Sequence, residues 1–113
     1  VLESVTTAAL TSALNGLSAR QRAIANNIAN VNTPGYTAER VSFEDALAAS
    51  VARGDGHVSA TTARSLEPTR LDGNNVNLDT ETLSNVDTVL MYQFASQAAG
   101  NEFSAVRAAL KTS

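Results

Sequence analysis

The apolar residues Leu10, Leu14, Leu17, Ile24, Ile28 and Val31 are separated by alternating steps of four and three, with Gln21 filling the one missing step. That alternation keeps a narrow stripe on one side of a helix, as a coiled-coil seam requires, and predicts a helix from about Leu2 to Val31. A surface helix covering a small core of its own chain has the same period. The narrow seam and the alanine-rich flanks favour a coiled-coil-like contact, in which Gln21 costs stability and fixes register. A second long helix is predicted over about Asp79–Lys111. On it Leu83, Val86, Leu90 and Phe94 share one face, and Ala99, Phe103, Val106 and Leu110 share a roughly opposite one. One partner helix cannot cover both. At 1.5 Å per residue this helix is about 48 Å long, so a two-helix hairpin leaves an apolar strip in water that calls for other copies or other proteins. Gly16 and Gly100 interrupt the helices at a cost of about 1 kcal/mol each, either for close packing or because the helices complete themselves only on assembly.

Between the helices the pattern weakens. "VSFEDALAASVARG" predicts a short helix with Ser42 as N-cap, Glu44 and Asp45 in its first turn, Arg53 near its end and Gly54 as its stop. "DGHVSATTARSLEPTR" reads as loop with short extended pieces, and "LDGNNVNLD" as an extended stretch leading to a helix capped by Asp79 or Thr80. The expected fold is therefore mainly α: an antiparallel coiled-coil-like hairpin of long N- and C-terminal helices, with a short helix and an irregular or extended loop region between. The segments are 1–32, 33–78 and 79–113.

The first helix ends in "NNIANVNTPGY". Pro34 and Gly35 stand where a type II turn needs a fixed φ and a positive φ. One or two asparagines suffice to satisfy a helix end; four suggest amides paired across a neighbour, with Asn26, Asn27 and Asn30 setting register.

Composition removes several classes. A chain of 113 residues with 43% hydrophobic and only 4% aromatic residues is one small domain with little bulky core material. A net charge of -3 gives no footprint for nucleic acid or an anionic membrane. There is no cysteine for a disulfide or thiolate site, no stretch long enough to span a membrane, and no basic-then-apolar leader at the start of the sequence. His57, the one histidine, lies in "GDGHVS" and reads as a solvated loop residue. "DGNNVNLDTE" fails as a calcium loop, because Val76 takes the fifth position and Glu81 the tenth. No catalytic, cofactor or metal site is expected, nor a small-molecule substrate. The chain does not read as an enzyme.

"ANNIANVNTPGY", through Asn26, Asn27, Ile28, Ala29, Asn30, Asn32, Thr33, Pro34, Gly35 and Tyr36, resembles the N-terminal signature of the axial proteins of the bacterial flagellum, the rod, hook and hook-associated proteins. The small size, "YTAERVSFEDAL", "LDGNNVNLDTE" and "MYQF" are similar to the smallest, proximal rod members. "TETL" and "MYQF" depart from the "EEMV" and "AYQ" blocks of other rod types and of hook protein. The resemblance implies a structural subunit of the periplasmic rod that carries torque from the MS ring towards the distal rod and hook, exported by the flagellar type III apparatus without a cleaved signal. It implies as partners further copies of itself, rod proteins of the FlgC, FlgF and FlgG types, the adaptor FliE and the MS ring. Candidate subunit contacts are Leu10, Leu14, Leu17, Gln21, Ile24, Ile28 and Val31 on the first helix, and Leu83, Val86, Leu90, Phe94, Phe103, Val106 and Leu110 on the second. Another axial protein, or a helical type III secretion adaptor or chaperone, is the alternative.

Overall fold

The computed structural model describes residues 4–112. Helix α1 (Val5–Ala29) runs to an antiparallel two-stranded ribbon, β1 (Glu39–Ser42) and β2 (Thr61–Arg64), with α2 (Glu44–Ala52) between the strands. The chain then returns along α1 as α3 (Leu78–Thr112). The two long helices pack together as expected, and the molecule measures 65 × 25 × 17 Å. Its radius of gyration of 17.6 Å exceeds the roughly 13 Å of a compact domain of this length, as a protein built on one long hairpin must.

Ser4 caps α1 by accepting from the Thr7 amide; the expected start at Leu2 lies outside the described residues. The chain leaves α1 through the anticipated turn. Gly35 has φ +76° and the Tyr36 amide reaches the Thr33 carbonyl at 3.2 Å, closing Thr33–Tyr36 around Pro34. The extended pieces pair with one another, Glu39 with Arg64 through to Ser42 with Thr61.

Two caps differ from the sequence reading. Ser42 is not the N-cap of α2: it is the last residue of β1, and the cap position falls to Phe43, which makes no side-chain cap bond. The ribbon claims Ser42, and the Phe43 ring is buried in the core against α1. Helix α3 is capped by Asn77 rather than by Asp79 or Thr80: its Oδ1 accepts from both of their amides, at 2.9 and 3.3 Å. The stretch before it turns at 71–73 and joins no strand ladder over 74–77, where Asn74 and Asn75 side chains take the backbone partners that a ladder would supply. Asn74 donates to the carbonyls of Asn30 and Thr33; Asn75 accepts from the Ala38 amide and donates to the carbonyls of Ser65 and Glu67.

The core lies where α1 meets the ribbon and α2: Leu17, Ala23, Val41 and Phe43, with Leu47, Tyr92 and Ala95 packed against it. Gly16 is a packing glycine. A Cβ built there would stand 2.5 Å from the Phe43 ring. Gly56 brings the 55–58 loop onto the start of α1, with φ +86° and the Val5 carbonyl 2.7 Å from where a Cβ would be. The buried serines hold this loop: Ser12 Oγ donates to the Gly56 carbonyl and accepts from the Val58 amide, and Ser50 Oγ donates to the His57 carbonyl.

Candidate assembly interface

Helix α3 shows α1 its small and polar side. Glu81 and Thr88 are buried there, and Ser84, Tyr92, Ala95 and Ala99 are half-buried, at the three- and four-residue steps of one helix face. The opposite face holds Leu83, 72% exposed, Val86, Leu90 and Phe94, 79% exposed. Phe103 and Val106 border a small cleft shared with Thr7, Leu10 and Thr11 at the beginning of α1 and remain well exposed, as does Leu110. At 100° per residue this second stripe continues the α1-facing side of α3, and the first is turned away from it, which is how one helix carries two opposed stripes.

The seam of α1 behaves differently. Leu17 and Ile24, 2% and 4% exposed, are buried within the chain; Leu10, Leu14, Gln21 and Val31 are half-buried; Ile28 is 40% exposed. Leu10 and Leu17 border an open apolar groove with Leu47, Met91, Phe94 and Ala95, so the exposed α3 stripe runs into the cleft between the helices. Glu44 also borders this groove and forms a bidentate pair with Arg20 at 2.6 and 2.8 Å; Arg20 donates to the Val41 carbonyl at 2.8 Å as well and stacks on Phe43. Their bond holds the Glu44 carboxyl below its ordinary pKa against an opposing push from burial, and raises that of Arg20.

The asparagine cluster works inside the chain. Asn27 is fully buried and all its amide capacity is used: Oδ1 accepts from Tyr36 Oη at 3.0 Å and the Glu39 amide at 2.8 Å, while Nδ2 donates to the Glu39 carbonyl at 3.0 Å and to Glu81 Oε1 at 2.7 Å. Asn30 Nδ2 donates to the Asn26 carbonyl and its Oδ1 accepts from Thr33 Oγ1; the side chains of Asn26 and Asn32 are exposed. Pairing of Asn27 across a neighbour is thereby replaced by pairing across three segments of one chain. Sequence reasoning missed Glu81 and its second partner, Arg40 Nη1 at 2.8 Å. The available signal was slight: Glu81 stands seven residues before Thr88, on the side away from Leu83 and Leu90. His57 is exposed, and no group of three or more potential metal ligands exists among the described residues. No helix among them is long and apolar enough to cross a membrane.

An elongated helical hairpin with a large exposed apolar stripe and an Asn-rich exit defines a building block. A model of the family described as flagella basal body rod protein matches residues 9–37, which take in the motif and most of α1. The flagellar basal body rod protein FlgB of Escherichia coli K12 is 32% identical, over 76% of this chain and 78% of its own. FlgB of Borrelia hermsii is 29% identical over 87% and 90%, and that of Borreliella burgdorferi 27% over the same shares. The chain belongs to the FlgB family of flagellar basal body rod proteins, and it is a structural subunit of that rod.

Proposed function

We propose that this subunit sits in the proximal part of the rod, in the periplasm, where it helps to carry torque from the MS ring to the distal rod and hook. It acts without catalysis. The observation that carries this reading is the outward stripe of α3: Leu83, Val86, Leu90 and Phe94 cannot be covered by α1, and a row at steps of three, four and four suits a helix of an adjoining subunit. Phe103, Val106 and Leu110 extend the contact surface at the far end of α3, and the exposed flanks of Leu10, Leu14 and Ile28 extend it on α1. Leu17 and Ile24 support it from inside. The neighbours are further copies and other rod proteins, of the FlgC, FlgF and FlgG types, with FliE and the MS ring at the base. Export runs through the flagellar type III apparatus without a cleaved signal.

The test is to locate the subunit in isolated hook-basal bodies by electron microscopy of an epitope inserted at Leu66, whose side chain is fully exposed. Gly56, though in a loop, would not accept the insert, being packed on α1. Label at the base of the rod is the expected result. Label on the distal rod overturns the proximal position, and a motile strain whose basal bodies lack the label overturns the reading altogether.

A further inference from the structure

Among the described residues Glu81 is the only charged side chain that is buried, with none of its surface exposed. A carboxylate is kept there only if both oxygens are satisfied, and they are satisfied by different elements. Oε1 accepts from Asn27 of α1 at 2.7 Å, and Oε2 from Arg40 of β1 at 2.8 Å. Asn27 in turn grips the amide and the carbonyl of Glu39, so one carboxylate and one amide join α1, β1 and α3 at a single point. Of the other elements α3 packs extensively on α1 alone, which leaves few other ties between α3 and the ribbon. Apolar packing would hold these elements together too, but hydrogen bonds to fixed donors also set the angle between them.

We propose that Asn27, Glu81 and Arg40 form the joint through which a force on α3 reaches the β1–β2 ribbon. They are positioning residues of the subunit and not contacts to its neighbours. The inference rests on the reading that neighbours bear on the outer stripe of α3. Force entering there travels along a stiff helix to its first turn, where Glu81 passes it to α1 and β1 together. Arg40 keeps the joint aligned from its outer side, where Glu67 approaches its Nη2 at 3.6 Å.

The chain has no cysteine, so Thr62→Cys in β2 and Gln93→Cys in α3, both at exposed positions, carry the only two spin labels. Pulsed electron resonance on the full chain is expected to give one narrow distance distribution. Glu81→Gln keeps the volume and the acceptor for Asn27 while setting an amide N–H against Arg40; it is expected to shift or broaden that distribution, as is Asn27→Ala. Leu17→Ala weakens the core and is expected to leave it narrow. Parent-like distributions for Glu81→Gln and Asn27→Ala overturn the joint, and so does equal broadening by Leu17→Ala. Should Asn27→Ala fail to fold, Glu81→Gln and Arg40→Gln, the latter at a partly exposed position, still give the comparison. In cells, Glu81→Gln subunits are expected in basal bodies whose motility fails first in viscous medium. Absence of the parent subunit from basal bodies would sink the functional reading and leave the distances to decide the joint.

Discussion

Helices α1 and α3 carry apolar stripes with the same steps of three and four residues, yet the chain uses them in opposite senses. Helix α1 buries the centre of its stripe, Leu17 and Ile24, whereas α3 turns Leu83, Val86, Leu90 and Phe94 to solvent and packs through Glu81, Ser84, Thr88, Tyr92 and Ala95. Burying one such side chain is worth about 1.5–3 kcal/mol, so a free monomer would gain by rotating α3 half a turn. Two features oppose that rotation. Phe43 and Tyr92 already pack in the Leu17 cluster, to which α3 adds the small Ala95, and the turn would pull Glu81 from Asn27 and Arg40. Periodicity tells which residues share a face. Which face meets the chain's own core depends on what else competes for it.

The difference is open to a direct break. Ile24→Asp puts a carboxylate at a buried site with no partner, and we expect it to destabilise the isolated chain by more than about 3 kcal/mol, read as a collapse of the urea midpoint. Leu90→Asp, at an exposed site, should leave that midpoint within about 0.5 kcal/mol and still abolish incorporation into rods. Both variants lose motility; only the first loses the fold. Normal rods with Leu90→Asp would remove α3's outer face from the interface.

The hairpin was legible in the sequence because each stripe runs for several turns, and the turn at Pro34 and Gly35 because both residues have one backbone use. The two caps were not. Ser42 is as good a helix cap as a strand residue until its pairing with Thr61 is known, and Asn77 is hidden beside two other asparagines, Asn74 and Asn75. The role of Asn27 depended on Glu39 and Glu81, one close by and the other 54 residues away, and no local rule joins them. The period makes the α1 seam one surface, although the ribbon and α2 cover its centre and leave parts of its ends open.

The two helical glycines sharpen the contrast at lower energy. At Gly16 an added methyl meets the Phe43 ring, whose own burial leaves it no room to retreat. Overpacking of about 1–3 kcal/mol outweighs the gain of about 1 kcal/mol from removing a helical glycine, so Gly16→Ala should lower stability. At Gly100 nothing lies within 4 Å, and Gly100→Ala should raise helix stability by about 1 kcal/mol. Thermal unfolding of the two variants side by side checks both signs. A stabilising Gly16→Ala would mean that α1 is not held against Phe43.

The smallest effect lies on the α1 side and depends on pH. The Arg20 bond holds the Glu44 carboxyl below its ordinary 4.5, with burial pushing the other way. A carboxyl whose pKa is lower folded than unfolded takes up its proton more readily in the unfolded chain. Its contribution is therefore complete above about 4.5 and is lost as the pH falls through the lower, folded value. Because the Glu44 side chain is 48% exposed, solvent screens the pair and the contribution is about 0.5 kcal/mol. Glu44→Gln should thus unfold at slightly lower urea than the parent near neutral pH, and at the same urea in strongly acid solution. Glu44 joins α1 to α2, and the charged group of α3 that acts on the pair is Asp87, through its field on Arg20. Acid should accordingly speed hydrogen exchange around α2 before it affects the outer half of α3. Loss of protection in α3 first would show that the bridge steadies the hairpin as a whole and would narrow the difference between its two helices.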